Sequence, residues 1–180
     1  MTRAEAQGLL AGAELVCPAH EVAAAVARLA AEITACLEDE FPLVLSIMGG
    51  AVVFTGQLLP LLAFPLEFGA IEVTRYRNTT QGRAIDWRLA PKDNVKGRTV
   101  LVVDDILDEG ITLAAVRERL LAMGATRVLA AVFADKDLGR AKPIAADFVG
   151  VRVPDRYVFG FGMDAYGAWR NLPAIYALGG

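Results

Sequence analysis

A chain of 180 residues, 55% hydrophobic and 8% aromatic, is long enough for one domain with a real core and too apolar to be disordered. A net charge of -3 and an isoelectric point near 5.2 exclude a molecule-wide basic field that would recruit nucleic acid. An anionic ligand must therefore be held by local groups: backbone amides, a few Arg and Lys, or a metal.

In chain order, residues 4–12 read as a short helix. Residues 20–41 form an amphipathic helix, with Val22, Val26, Leu29, Ile33 and Leu37 at helical spacing. The stretch from Phe41 to Leu66 carries no charge and is long enough to cross a bilayer. Pro42, Gly49, Gly50, Gln57, Pro60 and Pro65 divide it instead into a strand (42–48), a turn, a helix (51–63) and a second turn, so no membrane span is expected. Residues 66–76 read as strand. The polar stretch 77–98, punctuated by Gly82, Pro91 and Gly97, reads as a long loop or hairpin, a length usual for functional lids. Strand follows at 98–105, helix at 112–124 with Gly124 as its C-cap, and strand at 125–136. Short strand-like pieces close the chain at 147–153, 157–162 and 174–179. Strands alternating with helices imply an α/β fold with a mainly parallel twisted sheet flanked by helices. Cys17 and Cys36 form no ligand cluster or disulfide framework and read as reduced thiols of a cytoplasmic protein. No apolar core of a signal peptide is expected at the N-terminus.

The informative stretch is VLVVDDILDEGITLAAV, residues 100–116. An apolar strand runs into Asp104 and Asp105, then Asp108, Glu109, Gly110 and Thr112, then a helix. Ligands of open parallel sheets sit outside the carboxyl ends of the strands. The helix N-terminus beyond offers free amides and a favourable dipole to a phosphate. Gly110 permits close backbone approach and Thr112 adds a hydroxyl. Two carboxylates beside an anion site suit sugar hydroxyls, or a Mg²⁺ that travels with phosphates. The charge thus reads as the site of a polyphosphorylated sugar. A phosphoacceptor receiver domain also begins with such a pair, but near its N-terminus, whereas here about a hundred residues precede it.

The same stretch resembles the phosphoribosyl-diphosphate signature of type I phosphoribosyltransferases. Residues 134–178, ADKDLGRAKPIAADFVGVRVPDRYVFGFGMDAYGAWRNLPAIYAL, resemble the hypoxanthine-guanine branch. The resemblance implies one domain over 1–180: a core at about 40–145, a small hood from parts of 1–20 and 146–180, and a mobile lid at about 75–98 rooted at Arg75 and Tyr76. It implies that Asp104 and Asp105 meet the ribose hydroxyls, with Asp104 where relatives more often have Glu. It makes Asp108 the catalytic base near purine N7, and the backbone of Asp108, Glu109, Gly110, Ile111 and Thr112 the 5'-phosphate cradle. Lys136 would donate to the purine 6-oxo group. Tyr157 would stack on the base, and the Val158 backbone would read its edge. Asp164 would join Asp104 and Asp105 as a Mg²⁺ ligand beside the base. Met48, Gly49 and Gly50 would form the pyrophosphate loop, often with a cis peptide before the first glycine, and Arg170 would reach pyrophosphate. Met48 stands where the family usually has Lys or Arg, Ile111 replaces a common Lys, and Arg75 a common Ser.

The implied activity is purine salvage: transfer of ribose 5-phosphate from phosphoribosyl diphosphate to N9 of hypoxanthine or guanine by a homodimer or homotetramer. Sister readings are a xanthine or uracil enzyme and an RNA-binding pyrimidine-operon regulator of the same fold. The acidic charge argues against the regulator.

Overall fold

The computed structural model describes residues 1–75 and 85–179. Its elements are α1 (Arg3–Ala11), β1 (Glu14–Cys17), α2 (Ala19–Leu37), β2 (Leu43–Met48), α3 (Val52–Leu58), β3 (Glu67–Arg75), β4 (Ile85–Leu89), β5 (Thr99–Leu107), α4 (Ile111–Ala122), β6 (Arg127–Asp137), β7 (Phe148–Pro154), β8 (Val158–Phe159) and β9 (Ile175–Ala177). A six-stranded sheet has the order β4-β3-β2-β5-β6-β7, parallel throughout except for the antiparallel edge strand β4.

The apolar runs of β2, β5 and β6 lack strict alternation because both faces of the sheet are covered. Val44, Leu101, Val103, Leu129, Ala131 and Phe133 pack with α2 and α3. Their sequence neighbours Leu43, Leu45, Val100, Val102, Val128 and Ala130 pack with Leu113, Val116 and Leu120 of α4. Each strand thus feeds both cores at period two.

The second sheet, β1-β9-β8, is antiparallel and joins the two ends of the chain. The sequence reading contains no counterpart of β1, a four-residue strand with only Cys17 fully buried.

Two helix ends differ from expectation. The long amphipathic helix stops at Leu37, since Glu38, Asp39 and Glu40 are unfavourable at the negative end of the helix dipole and Pro42 disfavours helix before it. The next helix ends at Leu58 and continues as a 3₁₀ turn, Leu59–Leu61, which accepts Pro60 near its start. Of the two readings of 77–98, loop or hairpin, the described part fits the hairpin: β4 pairs antiparallel with β3, as at Thr74↔Asp86. Phe148–Pro154 pairs parallel to β6 and forms the edge of the large sheet. Among the described residues, no helix is long and apolar enough to cross a membrane.

Candidate active site

The carboxyl ends of β2, β5 and β6 open on one side of the sheet. Here β5 loses its apolar character. Asp104 and Asp105 are half-buried, the Asp104 Oδ1 accepting from the Asp105 N–H at 3.0 Å and the Asp105 Oδ1 from the Ile106 N–H at 2.8 Å. Burial, then the charge of Asp105, holds Asp104 well above the ordinary carboxylate range. Burial also raises Asp105, offset by hydrogen bonds from Asp104 and the Ile106 N–H and by the positive charge of Arg170.

A carboxyl raised in the folded state contributes stability below its unfolded value and loses it as pH climbs through the folded one. At neutral pH the pair therefore destabilises the ligand-free protein. Asp104→Asn, which keeps the acceptor for the Asp105 N–H, is expected to raise Tm at pH 7 by about 2–4 °C, corresponding to about 1 kcal/mol for a chain of this size. Calorimetry in chelator at pH 5 and pH 7 checks this; a lower Tm at pH 7 would mean that the pair stabilises the empty site.

Beyond the pair, Gly110 precedes α4 with φ of 79°, in the left-handed region that glycine tolerates. A helix's first amides have no acceptor within the helix, and Gly110 supplies no capping side chain. A cavity of about 240 Å³ lies in front of this turn, lined by Asp104, Asp105, Asp108, Gly110 and Thr112. The adjoining cleft, about 270 Å³, is lined by Ile106, Asp108, Lys136, Tyr157, Val158 and Asp164. Within it the Lys136 Nζ stands 3.2 Å from the Asp108 Oδ1, with only 13% of the Lys136 side chain exposed. Tyr157 and Tyr166 stack with ring centroids 5.5 Å apart and planes 18° apart. Tyr157 lines the cleft and Tyr166 does not.

The loop after β2 closes the same site. The Met48–Gly49 peptide is cis. A Cβ at Gly50 would overlap the Asp105 carboxylate, and one at Gly162 would overlap the Gly50 carbonyl oxygen. Two glycines thus let the loop, the acidic pair and the C-terminal segment converge. The Arg170 guanidinium donates to the Gly162 carbonyl at 2.6 Å and pairs with Asp164 at 2.5 Å. Met48 carries no charge into the loop; its thioether accepts from the Ser46 hydroxyl at 3.9 Å.

Among the described residues, no three acidic, His or Cys side chains gather tightly enough to cage a metal ion. Asp104 and Asp105 instead form a crowded pair, with Asp164 across the cleft. Such a donor set fits Mg²⁺, which is held by one or two carboxylates together with substrate oxygens rather than by an all-protein cage.

Residues 16–166 match the family of phosphoribosyl transferase domains. The chain belongs to this family. The hypoxanthine-guanine phosphoribosyltransferase of Bacillus subtilis is 35% identical over 160 residues, which cover 88% of this chain and 89% of that protein. The hypoxanthine-guanine-xanthine phosphoribosyltransferase of Tritrichomonas foetus is 35% identical over 151 residues, 83% of this chain and 82% of that one. A solved hypoxanthine-guanine phosphoribosyltransferase of Bacillus anthracis superposes with a TM-score of 0.86 at 25% identity, covering 92% of this chain and 98% of its own.

In this phosphoribosyltransferase Asp104, Asp105, Asp108, Gly110, Thr112, Lys136, Tyr157, Val158 and Asp164 line the two adjoining cavities. Gly50 packs on Asp105 and Arg170 pairs with Asp164, while Met48, Gly49, Glu109 and Ile111 line neither cavity. Arg75 ends β3, opposite Ile85. Tyr76 and the rest of the expected lid to residue 84 lie outside the described residues. Sequence reasoning missed Tyr166, whose backbone has φ of 51°, and Trp169, whose indole N–H donates to the Ala6 carbonyl at 2.7 Å and ties the turn to α1. The aromatic spacing in MDAYGAWRNL was the available signal for both.

Proposed function

We propose that this phosphoribosyltransferase moves ribose 5-phosphate from phosphoribosyl diphosphate to N9 of hypoxanthine or guanine in the cytoplasm, forming the purine monophosphate and pyrophosphate. The observation that carries the reading is the Lys136–Asp108 pair, 3.2 Å apart in a cleft that Tyr157 also lines. A 6-oxopurine presents a carbonyl acceptor at O6 beside N7, which is protonated in one tautomer. An ammonium, with donors only, matches the carbonyl; a carboxylate matches the N7 proton. Adenine offers its amino group where the carbonyl should be and leaves Lys136 without an acceptor.

The 5'-phosphate sits on the amides from Asp108 to Thr112 at the start of α4, and the ribose hydroxyls meet Asp104 and Asp105. Asp108 holds the N7 proton as N9 attacks C1 of the sugar and the bond to pyrophosphate breaks. The amides of Gly49 and Gly50, with Arg170, take up charge on the leaving group. Asp104, Asp105 and Asp164 would hold Mg²⁺, which when bound supplies charge neutralisation to the diphosphate. Release of pyrophosphate from phosphoribosyl diphosphate, measured with hypoxanthine, guanine, xanthine, adenine and uracil, tests the reading. Turnover with hypoxanthine or guanine is expected. Turnover with uracil or adenine alone, or with no base, overturns it.

Met48 is where the loop departs from the family. If the Gly49 and Gly50 amides hold the leaving group, Met48→Ala changes little, while Met48→Lys tightens pyrophosphate by about 0.5–1.5 kcal/mol for one partly exposed ion contact. Pyrophosphate inhibition at fixed Mg²⁺ and salt reads this directly. An inactive Ala variant would give Met48 a role that backbone binding does not explain.

A further inference from the structure

Lys142 has no role in the site as read from the sequence, yet its ammonium is almost buried, with 11% of the side chain exposed. It donates to the Leu107 carbonyl at 2.6 Å and to the Asp135 carboxylate at 2.6 Å. Leu107 and Asp135 are register partners on the adjacent parallel strands β5 and β6. Each stands one residue before a member of the Asp108–Lys136 pair. Lys142 therefore bolts the two strand ends together at the last step before the base-binding side chains diverge into the cleft.

The rest of its segment grips the same place. Arg140 pairs with Glu109 at 3.8 Å. The space a Cβ would take at Gly110 is bounded by Ile144 at 3.2 Å and Pro143 at 3.4 Å. A second cleft, of about 280 Å³, is lined by the brace itself, through Leu107, Asp135 and Lys142, and by Lys136. Lys136 borders both cavities.

The geometry points to Lys142 as a positioning residue that fixes Lys136 against Asp108, and so sets how well the enzyme captures a 6-oxopurine. The assignment rests on the functional reading above. Its physical content is a competition for Lys136. With Lys142 present, the Asp135 carboxylate is neutralised. Without it, an unpaired and largely enclosed carboxylate stands next to Lys136 in sequence and draws the ammonium away from Asp108 toward the cleft that Asp135 lines. The Leu107 carbonyl also loses its donor, which loosens the entry to the phosphate turn.

The test compares full-length wild type with Lys142→Met, Lys142→Gln and Lys142→Arg, using steady-state kinetics varied in hypoxanthine and in phosphoribosyl diphosphate. Lys142→Met is expected to raise KM for hypoxanthine about tenfold or more, the loss of one charge-assisted hydrogen bond at Lys136, with KM for phosphoribosyl diphosphate within about twofold. Lys142→Arg, which keeps the charge, should stay within about threefold of wild type. Asp135→Asn in the Lys142→Met background removes the competing charge and should recover most of the purine KM.

If the Met variant does not fold, the Gln variant decides: it can still donate to Leu107 but cannot neutralise Asp135, so its purine KM should exceed that of the Arg variant about fivefold or more. Equal purine KM values in the Gln and Arg variants, or a parallel rise in both KM values of the Met variant, overturn the assignment. Wild-type turnover with hypoxanthine alongside an unperturbed Met variant would overturn this inference and leave the functional reading intact. A wild type that forms no nucleotide overturns both.

Discussion

Asp108→Asn should leave both substrates bound and lower kcat by about 10²–10⁴-fold, the usual loss when a positioned base is removed. The amide matches the carboxylate in size and still accepts a hydrogen bond from Lys136, 3.2 Å away in the wild type, so the cleft keeps its shape. What it loses is the ability to take up a proton. Rapid-quench turnover combined with equilibrium binding of hypoxanthine separates the two properties. A variant with near-normal kcat removes Asp108 from the chemistry. One that fails to bind purine makes it a binding group instead.

Lys136→Ala should act on the opposite side of the pair, on base capture rather than turnover. Losing one charged hydrogen bond to a carbonyl costs roughly 1.5–3 kcal/mol, or about ten- to a hundredfold in kcat/KM for hypoxanthine. The Lys136 side chain is only 13% exposed, so water replaces the lost donor poorly. Binding of phosphoribosyl diphosphate should change little, because its phosphate turn and acidic pair belong to β5 and α4. Unchanged hypoxanthine kinetics would remove Lys136 from the base site. Discrimination against adenine should also weaken, since the group that leaves adenine unsatisfied would be gone.

The alternation of strands and helices, and with it the α/β class, was legible in the sequence because buried strands and amphipathic helices leave different periods. The turn from β5 into α4 was equally legible as a strand end, a glycine turn and a helix start, because its groups are consecutive. Lys136, Tyr157, Asp164 and Arg170 were read only through family resemblance, since each alone is an ordinary surface or strand residue.

Other features left no sequence trace. The four residues of β1 are too few to show a period, and they become a strand only because β9, from the other end of the chain, supplies the hydrogen bonds. The parallel strand Phe148–Pro154 looked like one of several short C-terminal pieces; only pairing with β6 assigns it to the large sheet.

By itself, then, the sequence determined the layers of this protein, the turn from β5 into α4 and the acids that end β5. All three depend on residues close together along the chain. Only the tertiary structure decided that Asp108 faces Lys136, that Gly50 yields space to the Asp105 carboxylate, and that Lys142 reaches back to Leu107 across 35 positions of sequence. Contacts between distant positions are set by strand order and register, and these come from the burial of both sheet faces together rather than from any local pattern.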